Sequence, residues 1–427
     1  MLLTIEKLVY GGDGLARMPA DEQGRGKAVF LPFVLAGEKV EVSLLEEKRG
    51  FARARADQLL QPATHRIDPK CPYFERCGGC HYQHADPEHQ LQIKAAILKE
   101  NLRRIAKLEL DTEIITHPSP PWSYRNRSRF KVQSAPEFAL GYYRFSSHQL
   151  LPIEQCPISS PLINRGLAEL WRAGRDRGLP EGVQEIELFS NAEDSQLLVE
   201  VFCATDLNPE DAQKSAEQLR SLLAEIAGVV MFRAATSGEA KATATAGAGH
   251  LTYKTGDFSF RVSAGAFFQV NRHLTDELIR VVSDDACGET ALDLYAGVGL
   301  FSTVLARSFA QVIAVEASPT AHADLLYNSP ANVKVVHATT DQFLGKTRNI
   351  RPDLVLVDPP RSGLGEMVVR SLAGLGARRM VYVSCDPATC SRDLAGLLSA
   401  GYRIQQAHVV DLFPQTYHLE SVFHLVR

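Results

Sequence analysis

ALDLYAGVGLFS, residues 291–302, contains a fold in miniature. Ala291 to Leu294 read as a buried strand, Gly297 and Gly299 break it into a tight turn, and the residues after them begin a helix. The pattern recurs downstream in QVIAVE (311–316), DLVLVDPP (353–360) and MVYVSC (380–385), each an apolar run that stops at an acid, a proline pair or a cysteine. Upstream, FFQVN (267–271) leads into a helix carrying Leu274, Leu278, Ile279 and Val282. Strands alternating with helices predict an α/β unit with a doubly wound parallel sheet over 266–427.

In such sheets ligands sit at the carboxyl ends of the strands. Gly297-x-Gly299 lets the backbone approach a ligand, but the third glycine of a dinucleotide fingerprint is replaced by Ser302. Glu316 follows about 20 residues later, where an acid binds ribose hydroxyls. Asp293 and Tyr295 beside the loop suit a nucleoside with an amino-acid tail, so the loop points to S-adenosylmethionine; the alternative for Asp293 is to cap the loop backbone. Cys385 at a strand tip is a candidate nucleophile or an inert buried thiol.

Composition bounds the rest. A chain of 427 residues exceeds one ordinary core, and 45% hydrophobic with 22% charged residues is the balance of a folded soluble protein. No stretch is long and apolar enough to cross a bilayer and the start lacks a signal peptide's apolar run, so a cytoplasmic protein without a membrane partner is expected. A net charge of −4 confines any nucleic-acid surface to local patches.

Residues 1–60 alternate apolar and polar positions between glycine turns and read as a small antiparallel barrel, with Lys48, Arg49, Arg53 and Arg55 as a solvated basic edge. Cys71, Cys77 and Cys80, with Cys156, can close a four-thiolate site that suits zinc or an iron-sulfur cluster equally. Residues 89–107 predict an amphipathic helix with Lys94, Lys99, Arg103, Arg104 and Lys107 off its apolar face. In SYRNRSRFKV (123–132), Arg125, Arg127, Arg129 and Lys131 fall on one face of a strand, where cations repel unless they meet phosphates, carboxylates or water. An RNA backbone contact is expected there, with Tyr142 and Tyr143 as stacking surface. The low-complexity run 235–249 reads as a mobile hairpin loop.

Taken together, CPYFERCGGC with Cys156, FFQVN, LDLYAGVGLF, VDPPRSG, VSCDPAT and FPQTYHLESV resemble the bacterial RNA uracil-C5 methyltransferases, which make 5-methyluridine in ribosomal and transfer RNA. The likeness spans essentially the whole chain and is strongest to the subgroup with a TRAM domain and a [4Fe-4S] cluster. It implies an OB-like TRAM barrel over 1–60, a central α+β domain with the cluster over 61–265, and a Rossmann-like class I methyltransferase domain over 266–427. It makes Cys385 the nucleophile and Glu420 the base. Gln269, Tyr295, Gly297, Gly299, Leu300, Glu316 and Asp358 then bind S-adenosylmethionine or floor the catalytic pocket, with Asp358 counted in both groups. Cys71, Cys77, Cys80 and Cys156 become cluster ligands. Ribosomal RNA is favoured as substrate over transfer RNA, and a monomer is expected.

Two positions depart from the family pattern: Thr339, with Asp341 two residues on, stands where an acid or amide contacts adenine, and Leu300 stands where a polar residue is common. Arg361 replaces the aromatic residue that follows Asp-Pro-Pro in amino-group methyltransferases, which argues for a different nucleophile. Cys390 is expected to be structural and His418 to support by packing. The competing class is an iron-sulfur RNA-binding or redox-sensing protein with an inactive methyltransferase domain.

Overall fold

A computed structural model describes residues 1–20, 26–204, 207–233, 240–347 and 350–427. Among the described residues no helix is long and apolar enough to cross a membrane.

The N-terminal sheet has six strands, and its inward positions Leu3, Ile5, Ala16, Val29, Leu31, Val40, Val42, Ala52 and Ala54 form one small core. Leu2–Thr4 pairs with Lys39–Glu47, and the chain then crosses so that Lys7–Leu8 pairs with Gly14–Arg17. One N-terminal segment thus joins both margins of the sheet. The expected all-antiparallel order fails at one pair: Ala28–Leu31 runs parallel to Phe51–Gln61. Buried Glu38 ties the barrel to the segment that leaves it, since its carboxylate accepts from the Arg66 guanidinium and from the Leu35 and Ala63 amides.

The central sheet has seven strands, with Arg127–Gln133 beside Val183–Ser190 and then Leu197–Cys203. Helices Pro161–Arg175 and Pro209–Arg220 cover one face. On the other, Phe189, Leu198, Phe202, Val230 and Phe232 share a core with the hairpin His250–Thr255/Phe258–Ser263 and with the α/β unit. The loop expected at 235–249 is in part a strand: Lys241–Gly247 pairs with Ile226–Arg233, and only 235–239 lie outside the described residues. Small residues permit this, because a Cβ on Gly228 would lie 1.7 Å from the Ala248 carbonyl oxygen.

The third sheet has eight strands. Val333–His337, Phe309–Glu316, Gly288–Leu294, Leu354–Val357 and Arg379–Ser384 are parallel neighbours in that order. Leu354–Val357 is LVLV with every residue buried, as a strand covered on both faces requires. The parallel order ends there. Glu420–Val426 returns antiparallel to both Arg379–Ser384 and Arg403–Val410, because only residues 411–419 separate it from the latter and no crossover helix fits.

The helix Pro87–Asn101 and the strand Ile114–His117 fall inside the region assigned to the central domain, yet they complete this C-terminal sheet. Ile114–His117 is its edge strand, and Leu91, Leu98 and Leu102 enter its core. Lys94, expected on the polar face, is fully buried. Its ammonium donates to Asp411 at 2.6 Å and to the Phe413 carbonyl at 2.8 Å. Loop 411–419 is also held at Gln415, which has φ of 68°. The Gln415 carbonyl accepts from the His81 and Tyr82 amides, and its amide donates to Gln90.

Breaking one side of a buried ion pair strands the other charge. Lys94→Ala should therefore destabilise the chain by about 3–5 kcal/mol in urea denaturation, and Lys94→Met combined with Asp411→Leu should recover most of that loss.

Candidate active site

The antiparallel return brings the two proposed chemical groups together. Arg379–Ser384 ends where Glu420–Val426 begins, with Ser384 opposite Ser421, so Cys385 and Glu420 flank the same register position at the ligand-binding edge. Asp386 caps the next helix, Pro387–Ser399, by accepting from the Ala388 and Thr389 amides. Cys385 is thereby fixed between a strand end and a helix start. Glu420 is 7% exposed.

The local field disfavours negative charge. Burial first, then the Glu420 and Asp358 carboxyls, push the Cys385 thiol up to about 12, while Arg361 opposes them. Burial and then Asp358 hold Glu420 well above the usual carboxylate range, again against Arg361. Asp358, at the end of Leu354–Val357, is pushed up to about 7 by burial and by Asp293. Burial also lifts Asp293 to about 7, against its hydrogen bond from Ser302. Acids that resist ionising while packed together form a site that favours an incoming cation.

Glu316, expected to bind ribose hydroxyls, lies against the glycine loop. The Gly297 amide donates to Glu316 at 2.8 Å, and the other Glu316 oxygen accepts from the Ala317 and Ser318 amides. Gly297 and Gly299 have φ of 56° and 94°, and a Cβ on Gly299 would lie 2.8 Å from Leu325. Tyr295, also left-handed at 64°, has a hydrogen bond to Thr340. Leu300 opens the helix Leu300–Leu305 with its side chain in the core, which leaves its backbone as the group that can face a ligand. Asp293 accepts from the Ser302 hydroxyl, and its second oxygen is buried with no hydrogen-bond partner among the described residues. Thr339 is committed to capping Thr340–Lys346, whereas Asp341 is exposed in the first turn. Gln269 is nearly buried, and its carbonyl accepts from Asn126.

His418 stays in the supporting role. Burial and Arg361 pull it down to about 3, and it pairs with the Arg361 guanidinium at 3.2 Å. Cys390 is fully buried in its helix, away from the surface. Sequence reasoning missed Arg361 as a site residue, though it acts electrostatically on Cys385 and Glu420 alike; its position after Asp358-Pro359-Pro360 was the available signal. Asn271 was also missed. Its side-chain amide donates to Ser119 and to the Leu412 carbonyl, fastening the FFQVN segment to loop 411–419.

The basic strand differs from expectation. Val183–Ser190 lies antiparallel beside it and sets Glu187 opposite Arg129 and Glu185 opposite Lys131. Arg129 bonds Glu187 at 2.8 Å, Lys131 pairs with Glu185, and Arg127 lies 3.3 Å from Glu187 and 3.7 Å from Glu200. Cross-strand carboxylates meet these three cations. Arg125, Arg127 and Arg129 nonetheless line an open pocket of about 300 Å³ with Phe267, whose side chain is largely exposed.

The four cysteines gather in one neighbourhood: Cys156 acts on each of Cys71, Cys77 and Cys80, Cys71 acts on Cys77, and both Cys71 and Cys77 act on Cys80. Burial above all raises these three thiols, Cys77 to about 11. Among the described residues, however, no three His, Cys, Asp or Glu side chains form a group that could hold a metal ion. The donor set fits a soft metal centre in type and number, but the thiols are not closed to ligand geometry.

Residues 86–427 match the family model described as tRNA (Uracil-5-)-methyltransferase, and residues 1–56 match the TRAM domain. The chain belongs to the RNA uracil-5-methyltransferase family. It is 33% identical over 432 residues to the 23S rRNA (uracil(1939)-C(5))-methyltransferase RlmD of Pseudomonas putida, covering 98% of this chain and 92% of that one. The protein of the same name from Shewanella frigidimarina is 32% identical over 446 residues, covering 98% and 94%. Among solved structures, the Pyrococcus abyssi tRNA (uracil-54, C5)-methyltransferase in complex with S-adenosyl-L-homocysteine superposes with a TM-score of 0.77 at 23% identity, covering 99% of both chains, and supports the fold. Family membership gives the chain a reaction class, methylation of uracil C5 in RNA.

A thiol held near 12 ionises only slightly at neutral pH. Alkylation of Cys385 by iodoacetamide, followed by peptide mass spectrometry without RNA, should rise about tenfold per pH unit from about 7 to about 10, because the thiolate fraction does. Arg361→Ala should lower the rate throughout. A plateau below about pH 9 would contradict a thiol raised by burial and by the neighbouring acids.

Proposed function

We propose that this protein methylates C5 of a uracil in RNA using S-adenosylmethionine, with large-subunit ribosomal RNA as the favoured substrate. The observation that carries the reading is the register that sets Cys385 beside Glu420 at the carboxyl edge of the sheet. The ribosomal preference rests on the full-length likeness to two proteins named for 23S rRNA.

C5 of uracil is too weak a nucleophile to take a methyl group unaided. Addition of the Cys385 thiolate to C6 moves negative charge onto C5, forming the S–C6 bond as the C5–C6 double bond opens toward an enolate. S-adenosylmethionine supplies the electrophilic methyl group and a positive charge, which suits a pocket floored by Asp358 and Asp293. Gln269, Tyr295, Gly297, Gly299 and Glu316 are the residues proposed to hold it, with Leu300 contributing backbone only. Once C5 carries the methyl group, Glu420 takes the C5 proton, the double bond re-forms and Cys385 leaves as thiolate. Once ionised, the Glu420 carboxylate is a stronger base than an exposed one, because burial and Asp358 raise its pKa. Arg361 offsets negative charge on the thiolate and on Glu420.

The ring atoms of a stacked base are out of reach, so the uridine must swing out of the RNA at a cost of a few kcal/mol. The pocket beside Phe267, Arg125 and Arg129 is proposed to receive RNA at this step, with the TRAM barrel as a further grip. Cys71, Cys77, Cys80 and Cys156 are proposed to hold a [4Fe-4S] cluster that cross-links the central domain. Four thiolates would occupy all four irons, which makes the role structural.

Cys385→Ala should abolish 5-methyluridine formation and capture of 5-fluorouridine RNA, both read by gel shift and nucleoside mass spectrometry; an active alanine variant would falsify the nucleophile assignment. Glu420→Gln should still transfer the methyl group but remain covalently attached to RNA. For the cluster, anaerobically purified protein should be brown and contain about four irons per chain. A colourless, zinc-containing preparation would assign the thiols to zinc instead.

A further inference from the structure

Tyr10 lies in the N-terminal barrel, 375 positions from Cys385, yet its hydroxyl donates a hydrogen bond to the Cys385 carbonyl at 3.3 Å. Its ring meets Tyr417 edge to face with centroids 5.4 Å apart, and Tyr417 stands three residues before Glu420. One side chain of the barrel therefore touches both the loop of the proposed nucleophile and the loop of the proposed base.

The turn presenting Tyr10 is well defined. Gly11 and Gly12 have φ of 108° and 96°, and the Gly12 amide donates to the Val9 carbonyl at 3.2 Å while the Val9 amide donates to the Asp13 carbonyl at 2.9 Å. Gly12 rests against His81, where a Cβ would come within 3.0 Å of the ring, and His81 in turn packs edge-on to Tyr417 at 4.6 Å. Ser384 and Asp386, which flank Cys385 in the chain, exchange hydrogen bonds and so fix a local turn around it. The carbonyl of Cys385, between them, is the group that Tyr10 meets.

We propose that Tyr10 is a positioning residue: the barrel completes the active site by holding the Cys385 backbone in the orientation from which its thiol reaches the uracil ring. The proposal rests on the reading of Cys385 as nucleophile. It gives the TRAM domain a part in catalysis separate from gripping RNA. A hydrogen bond of this kind is worth enough to change the population of the productive loop several-fold.

The test is Tyr10→Phe in the full chain, which keeps the ring and its contact with Tyr417 while removing the hydroxyl. Without RNA, iodoacetamide alkylation of Cys385, followed by peptide mass spectrometry, should speed up about five-fold as the loop gains freedom, with buried Cys390 protected as before. With total RNA from cells grown in 5-fluorouracil as probe, the maximal rate of covalent capture should fall about five-fold and the half-saturating RNA concentration should not move. Unchanged alkylation with an unchanged maximal rate overturns the proposal. A raised half-saturating concentration at unchanged maximal rate also overturns it, assigning Tyr10 to RNA binding, and newly reactive Cys390 overturns it in favour of a role in folding. If Cys385→Ala still captures RNA, the nucleophile reading fails by itself, and the alkylation comparison still reports whether Tyr10 holds the loop.

Discussion

The site depends on one strand pairing. Five parallel strands bring Asp293, Glu316, Asp358 and Cys385 to a single edge, but a parallel sheet cannot add a residue from a strand that starts at that edge. Glu420–Val426 does so because it runs the other way, and its first residue stands where Arg379–Ser384 gives out. The loop before it must therefore be rigid, since any slack would move the carboxyl relative to the thiol. Lys94, Gln90, Asn271 and the amides of His81 and Tyr82 all bind loop 411–419, and they come from three separate stretches of the chain.

That convergence also bears on how the domains are joined. The helix Pro87–Asn101 packs in the core of the C-terminal sheet while its Gln90 binds the carbonyls of Tyr82 and Ala85, in the segment just after the cysteines. The hairpin His250–Thr255/Phe258–Ser263 shares its core with both large sheets. A strain placed on the cysteine-rich segment thus has a packed route to the loop that carries the chain to Glu420, through Gln415 and its left-handed backbone.

Much of this was legible in the sequence where the signal is local. Apolar runs that stop at a glycine turn, an acid, a proline pair or a cysteine located four of the parallel strands, and the spacing from Gly297 to Glu316 singled out the acid that the structure sets against the glycine loop. What escaped were features set by partners far away. Arg127, Arg129 and Lys131 look free on their own strand, because the carboxylates that face them come from Glu185, Glu187 and Glu200 on neighbouring strands. Lys94 looks solvent-bound because Asp411 is 317 residues away. The strand Ile114–His117 joins the C-terminal sheet through a pairing that no short-range pattern encodes. Motif spacing picked out Cys71, Cys77, Cys80 and Cys156 as a four-thiolate set and the family resemblance implied the [4Fe-4S] cluster; the thiols converge, but among the described residues they form no group that could hold a metal ion.

The electrostatics suit an order of events. With Asp293, Asp358 and Glu420 crowded together and the Cys385 thiol pushed up by two of them, the pocket by itself opposes a thiolate. A positively charged methyl donor would relieve the crowding of the acids and lower the cost of ionising the thiol in the same step. Arg361 alone offsets only part of that cost, since Cys385 remains near 12 with the guanidinium in place. Under the proposed reading, a positively charged donor bound beside these acids would favour the thiolate, so occupancy of the donor site and ionisation of Cys385 would be linked.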